Sequence, residues 1–380
     1  IYSIGGSFTQ SVNNRVDAAW SGGIGEAMSN ALPYYPVYDT AGNYFMWNGG
    51  YTNPVAYREQ RQWVNLEKRV LTNHSITFLI NDNWSLRGTG SLDYLDQVEM
   101  KFIPIGTNAG AQQNYAEKFP SWITNWNSNG TVNYNRTFKD KHRVSALVGS
   151  EVQSSITQGY SQVRYPGLGA LPTPYEVASD TIKPQYGNSY EEITTFVSFF
   201  GRVNYSFADK YFLQLVSRAD ASSKFGANSK WGNFPSASVG WIISEENFMK
   251  DSKVFNFLKL RGSWGVTGNA DIPRTAQYET WALGAQGYNG TNIRYQTQLG
   301  NPDLKWETSQ IIDASLEYGL WNDCIHGTIS AYSKRTQDVL LQYNVQTSTG
   351  FSNIWANAGE ILNQGLEFSI KSNNLSPESK

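Results

Sequence analysis

The chain of 380 residues has one cysteine, three histidines and few charges. A lone Cys324 excludes a disulfide framework and any cluster of cysteine ligands. His74, His142 and His326 lie far apart, on or beside expected strands, where a histidine is ordinary. Charged residues make up 16%, against roughly a quarter in soluble domains. The net charge of −2 leaves no basic footprint for nucleic acid, so no nucleic-acid partner is expected. Mean hydropathy is −0.46, and no run approaches the roughly 18 apolar residues of a membrane-spanning helix. That excludes a helical membrane protein. It leaves a transmembrane β-barrel open, because barrel strands alternate apolar and polar residues and average out as hydrophilic.

Catalytic signatures are also missing. There is no glycine-rich phosphate loop ending in Lys-Ser/Thr, no G-x-S-x-G elbow and no H-E-x-x-H. Glu191-Glu192 and Glu245-Glu246 are adjacent carboxylates. Neighbours in an extended strand point to opposite faces, so neither pair is an acid–base couple. Asn81-Asp82-Asn83 lacks the following glycine and distant glutamate of a calcium loop. The sequons at Asn73, Asn83, Asn135, Asn204 and Asn289 fall mostly in expected strands and are discounted as glycosylation sites. The chain is expected to be no enzyme and to need neither cofactor nor metal.

Aromatic residues are what the sequence has in excess: 13 Trp, 23 Tyr and 18 Phe, 14% of the chain. That share excludes a disordered chain. They sit within period-2 alternation, the mark of a strand with one apolar face. Val203, Tyr205, Leu213, Leu215, Val239, Trp241, Leu316 and Tyr318 share one parity. Arg202, Asn204, Gln214, Arg218, Asp220, Lys259 and Arg261 share the other. About eleven strands are expected, each near the 9–11 residues that cross a bilayer at a tilt. Short helices are expected within Pro54–Asn65 and Glu245–Asp251. Tight turns, such as Lys139-Asp140-Lys141, Ala208-Asp209-Lys210 and Asn322-Asp323, alternate with long segments at 95–129, 152–190, 221–233, 266–305 and 335–364. Short turns at one end and long loops at the other fit an outer-membrane barrel better than a soluble sandwich. Rings beside the turns, including Tyr205, Phe207, Tyr211, Trp84, Phe138, Tyr318 and Trp321, would form a girdle at the membrane interface.

The long loops carry candidate contacts to a cargo or a partner: Trp122, Trp126, Tyr278, Trp281, Tyr288, Arg294 and Trp306. Exposed rings stack on sugars or clamp side chains, and Arg supplies orienting hydrogen bonds. Packing of these rings within the loops is the competing reading. The first residue is Ile1, and 376–380 read as a turn cut short, so the chain is expected to be an internal piece of a longer protein.

Phe199-Phe200-Gly201-Arg202-Val203-Asn204-Tyr205 followed by Asp209-Lys210-Tyr211 resembles the barrel of SusC/RagA-type TonB-dependent transporters of Bacteroidetes outer membranes. The resemblance continues through residues 218–226, Lys230-Trp231-Gly232-Asn233-Phe234-Pro235-Ser236, Gly240-Trp241 and Glu245-Glu246-Asn247-Phe248. It extends through residues 258–265, Thr267-Gly268-Asn269, residues 301–307, Asn357-Ala358-Gly359-Glu360 and residues 363–367. It is dense over 195–370 and looser over 1–194; Ala221 departs from the usual glycine.

The resemblance implies an all-β fold: part of a 22-stranded transmembrane antiparallel β-barrel spanning 1–380, whose N-terminal plug lies outside this chain. It implies a location in the bacterial outer membrane. It also implies active import of a large nutrient, an oligosaccharide or a peptide. The implied partners are a SusD-like lipoprotein, TonB with its inner-membrane motor, outer-membrane lipid and the glycan or peptide cargo. The apolar set is then expected to face lipid. The charged set should line the lumen, forming ion pairs or bracing the plug, since a charge facing lipid costs about 2–4 kcal/mol at the midplane. Two alternatives stay open: a siderophore- or cobalamin-type receptor, and a secreted β-sandwich that binds polysaccharide. A dry core holding Leu213 and Leu215 would mark the sandwich.

Overall fold

A computed structural model describes residues 1–16, 24–29, 31–45, 53–104, 114–172, 183–284, 293–322 and 324–373. The chain opens with β1 (Tyr2–Asn14), α1 (Ile24–Ser29) and α2 (Pro54–Gln60). Long strands follow: β2 (Gln62–Leu79), β3 (Trp84–Ile103), β4 (Tyr115–Phe138) and β5 (His142–Tyr160). Two short strands, β6 (Val163–Pro166) and β7 (Gln185–Tyr186), precede β8 (Ser189–Phe207), β9 (Tyr211–Ser222), β10 (Trp231–Ile242) and β11 (Phe255–Asn269). Then come β12 (Thr280–Gly284), β13 (Ile293–Gln298), β14 (Glu307–Leu320), β15 (Ile325–Gln337), β16 (Leu340–Asn344), β17 (Asn353–Asn357) and β18 (Glu360–Ser372).

One sheet of 14 strands organises the molecule, in the order β1-β2-β3-β4-β5-β8-β9-β10-β11-β14-β15-β18, with β6 and β7 hung from β4. Every neighbouring pair on that path is antiparallel. Two adjacent rows across the sheet show why it has two unlike faces. Ala146, Val203, Leu215, Ala237, Trp264 and Ile312 are successive cross-strand partners. One residue along each strand, Ser145, Asn204, Gln214, Ser238, Ser263 and Asp313 make the next row. Side chains one residue apart point to opposite faces, so one face is apolar and the other polar.

The tight turns pin this register. Lys139-Asp140 and Ala208-Asp209 all have positive φ, from 49° to 55°, as a two-residue type I′ turn requires. Lys141 N donates to Phe138 O at 3.2 Å and Lys210 N to Phe207 O at 3.0 Å, closing the turns. Trp321 and Asn322 also have positive φ. α2 is capped by Asn53, whose side chain accepts from Val55 N and Ala56 N, with Pro54 opening the helix.

Several expectations need correction. The strands run further into the long segments than the sequence suggested. The segment 95–129 is mostly β3 and β4, leaving 104–114 as the connection; 152–190 holds the end of β5, β6, β7 and the start of β8. Likewise 221–233 shrinks to 223–230, while 266–305 contains β12 and β13, and 335–364 contains β16 and β17. β1 was not anticipated, so the main path has twelve strands rather than eleven. Only a 3-10 turn at Ile243–Glu245, followed by turns, occupies the second expected helix.

Two buried clusters lie at the long-loop end. Phe225, Phe234, Ile272, Ala276, Leu304 and Trp306 form one, with Phe196, Val266, Leu340 and Trp355 against it. Phe102, Ala116, Val163 and Tyr165 form the other, beneath β6.

Candidate functional site

The polar face gathers every residue of the charged set. Gln214 Nε2 donates to Asn204 Oδ1 at 2.7 Å across β8 and β9. Arg218 Nε lies 2.7 Å from Asp220 Oδ1, while its Nη2 reaches Glu151 at 3.1 Å and Ser198 Oγ at 2.8 Å. The same guanidinium sits 5.3 Å from the centre of the Phe200 ring. Arg261 Nε contacts Ser315 Oγ at 3.1 Å and Glu317 Oε1 at 3.2 Å. Lys259 stands over Phe212 at 5.6 Å. Arg202 pairs in register with Val216 on the same face. Arg218 and Arg261 are matched within the sheet by carboxylates, and Lys259 lies over a ring.

Sequence reasoning missed two parts of this face. Glu151 and Ser198 complete the Arg218 cluster, and neither stands out in sequence because both partners come from neighbouring strands. An asparagine row was readable: Asn125, Asn127, Asn129, Asn133 and Asn135 occupy alternate positions of β4.

The apolar face carries all of the apolar set. Val203 pairs with Leu215, Tyr205 with Leu213, Leu213 with Val239 and Tyr211 with Trp241. Leu316 pairs with Leu260 and Tyr318 with Leu258. Leu213, Leu215 and Val239 are exposed rather than sealed in a dry core, which removes the sandwich reading. At the tight-turn end a ladder of rings crosses four strands. His142 lies 4.8 Å from Phe207, Phe207 6.1 Å from Tyr211, and Tyr211 6.3 Å from Trp241. Glu246, in the β10–β11 connection, accepts from Tyr211 Oη at 2.6 Å and Trp241 Nε1 at 3.2 Å, with Lys210 Nζ at 3.4 Å. The Tyr211 hydroxyl first, then the Trp241 indole, hold its carboxyl below the usual range against the opposing effect of desolvation.

The loop candidates separate. Trp122 and Trp126 belong to β4, where they pair with Asp96 and Leu92; they are strand residues, not loop residues. Trp306 is only 8% exposed, packed between Phe225 and Phe234 with its Nε1 donating to Lys230 O at 2.9 Å. It braces the loops and offers no open ring. Tyr278 and Trp281 remain exposed at and beside the β12–β13 hairpin, with Arg294 on β13. Tyr288 lies outside the described residues. Among the described residues no group of His, Cys, Asp and Glu could hold a metal, and no helix is long and apolar enough to cross a membrane.

Known proteins share this arrangement. A family model described as "TonB dependent receptor-like, beta-barrel" matches residues 8–376. The TonB-dependent receptor P26 of Formosa agariphila is 30% identical over 371 residues, covering 93% of this chain and 36% of that protein. The TonB-dependent receptor SusC of Bacteroides thetaiotaomicron is 33% identical over 235 residues, covering 59% of this chain and 22% of that protein. The RagAB peptide importer in its closed-closed state shares the fold at a TM-score of 0.79 and 19% identity, covering 99% of this chain and 43% of that one. The chain thus spans little more than a third of the length of the curated relatives it matches. By fold, face chemistry and sequence, it belongs to the TonB-dependent receptor β-barrel family, whose members lie in the bacterial outer membrane.

Proposed function

We propose that this chain forms part of the barrel wall of an importer that takes up a large nutrient, an oligosaccharide or a peptide, with energy delivered through TonB and with a SusD-like surface lipoprotein as partner. The observation that carries the reading is the separation of an apolar face from a polar one over the long sheet. The apolar face meets lipid at Val203, Tyr205, Leu213, Leu215, Val239, Trp241, Leu316 and Tyr318. The polar face, with Arg202, Asn204, Gln214, Arg218, Asp220, Lys259 and Arg261, lines the lumen. Tyr278, Trp281 and Arg294 stand at the extracellular mouth, where cargo or partner arrives first.

The geometry supports passage rather than chemistry. Arg218 and Arg261 on the lumen face are paired with carboxylates within the wall, so a cargo meets a surface held in place by its own ion pairs. Exposed rings at the mouth bind by stacking, which captures without bond making. The test is uptake by the intact protein in its own outer membrane. Cells lacking the gene, or lacking TonB, are expected to lose growth on one large nutrient while keeping growth on its small subunits. Unchanged growth on every large nutrient, with the protein present in the membrane, would overturn the proposal.

A further inference from the structure

The connection between β10 and β11, residues 243–254, is unlike the other links at the tight-turn end. Lys139-Asp140 and Ala208-Asp209 turn in two residues, whereas this one takes twelve. It is nonetheless ordered. Lys250 N donates to Glu246 O at 3.0 Å, closing one helical turn, and Val254 O accepts from Trp321 N of the next link at 3.0 Å. The Glu246 carboxylate, bonded to Tyr211 and Trp241, fastens this turn against the base of the apolar face. Successive residues of a helical turn are about 100° apart, so Phe248 stands on the side away from that anchor. Its side chain is 71% exposed, and Val254, Phe255 and Trp321 are exposed as well. A bulge between Phe255 and Phe257 sets Phe255 opposite Leu320, which aims its ring to the apolar face instead of the polar one. β9 and β14 flank this hairpin in the sheet, so no further strand covers these rings. The same connection carries Glu245, Lys250, Asp251 and Lys253. All four are exposed, and none makes a side-chain hydrogen bond or ion pair among the described residues.

We infer that the β10–β11 connection is a foot that docks on the leaflet at the tight-turn end, with Phe248 at the acyl boundary and its free charges on a headgroup that carries both a phosphate and a primary ammonium, as in phosphatidylethanolamine. The inference rests on the proposed contact of the apolar face with lipid and extends that contact to a segment outside the wall. Continuity carries it: Tyr211, Trp241, Phe255, Trp321 and Phe248 make one apolar margin running from strands to connection. A segment with exposed rings and flanking charges lies in the interface plane, its rings among the acyl chains. The charge balance selects the headgroup. Two unpaired lysines match phosphates and two unpaired carboxylates match ammonium groups. A purely anionic headgroup would oppose Glu245 and Asp251, and a choline headgroup has no N–H to give them.

The test uses the full-length protein. Phe248→benzoylphenylalanine and, as a control on the wall, Leu215→benzoylphenylalanine are photolysed in the native outer membrane. Both are expected to form lipid adducts. The purified variants are then photolysed in bilayers of equal phosphatidylethanolamine and phosphatidylcholine with identical acyl chains. Position 248 should take the ethanolamine lipid about two- to fourfold over the choline lipid, the scale of one exposed ion pair, and position 215 should show no preference. Glu245→Gln with Asp251→Asn should remove the preference at 248 while lipid adducts persist there. Heat-modifiable gel mobility establishes that each variant is assembled. Lipid adducts at 215 with none at 248, or with protein adducts alone at 248, overturn the foot while the wall reading stands. Equal labelling of the two lipids at 248 overturns the headgroup assignment. Absence of lipid adducts at 215 in assembled protein overturns the lipid contact of the apolar face, and the foot with it.

Discussion

Arg218 on β9 reaches across β8 to Glu151 on β5, with 3.1 Å between Nη2 and Oε2. Ser198 lies beneath this span and accepts from the same Nη2 at 2.8 Å, while Asp220 takes Nε. One guanidinium therefore ties three strands. Arg218→Met would keep the stem and leave Glu151 and Asp220 without their cation. Those carboxylates are mostly buried while the arginine is partly exposed, so screening discounts the loss to about 1–3 kcal/mol. The expected readout is a lower temperature for loss of heat-modifiable mobility. Adding Glu151→Gln should recover part of it, and a double variant no better than the single would contradict the shared role.

Gly226 packs against the backbone of Pro302, and a Cβ built there would overlap the Pro302 carbonyl. Gly226 N also donates to Leu304 O at 3.4 Å. Gly226→Ala should force the 223–230 and 301–306 segments apart, at about 1–3 kcal/mol as overpacking usually costs. Limited proteolysis of intact cells should then cut these segments faster, with barrel mobility on gels unchanged. Equal protease resistance would show that the two segments are not held together.

Leu215 sits within the apolar row between Val203 and Ala237. Leu215→Arg would present a charge to lipid at about 2–4 kcal/mol near the midplane. Assembly in the outer membrane should fall sharply, whereas Gln214→Arg, one residue along and on the other face, should assemble normally. Equal assembly of the two would reverse the proposed orientation of the sheet.

Glu246 gives a pH dependence with a definite sign. Its carboxyl is held below the ordinary value of 4.5 by Tyr211 and Trp241. The stability it contributes is therefore present above that value and lost as pH falls through the lowered folded value. Wild type should lose thermal stability in that acid window, and Glu246→Gln should be less stable at neutral pH with a flatter acid limb. Parallel acid limbs would remove Glu246 as the source.

Legibility in sequence followed the contrast between the two faces. Where a strand carries an apolar face against a polar one, as at Val203–Phe207 and Tyr211–Leu215, the alternation is plain and the turns mark its ends. The 24 residues of β4 are about twice what crossing a bilayer requires. In its upper half the apolar-face positions include Thr124, Trp122 and Pro120, so alternation blurs and a strand reads as a loop. β1 escaped notice because Ser3, Gly5, Gly6 and Ser7 dilute the pattern of Ile4 and Phe8. The polar face was legible as parity, but which cation meets which carboxylate depends on register between strands far apart in sequence.

The unequal strand lengths have a mechanical consequence. β2, β3, β4, β5 and β8 run 18 to 24 residues, whereas β9, β10, β11, β14, β15 and β18 run 12 to 15. The tall side of the rim is continuous backbone ladder, stiff because bending it breaks hydrogen bonds in series. The low side is built up by side-chain packing around Phe225 and Trp306, joined to the wall through loops. Such a block can tilt as a unit by giving up contacts at its margin alone. Deformation of this edge of the sheet is thus directed to the β9–β18 side, with the β2–β8 side acting as the fixed jaw.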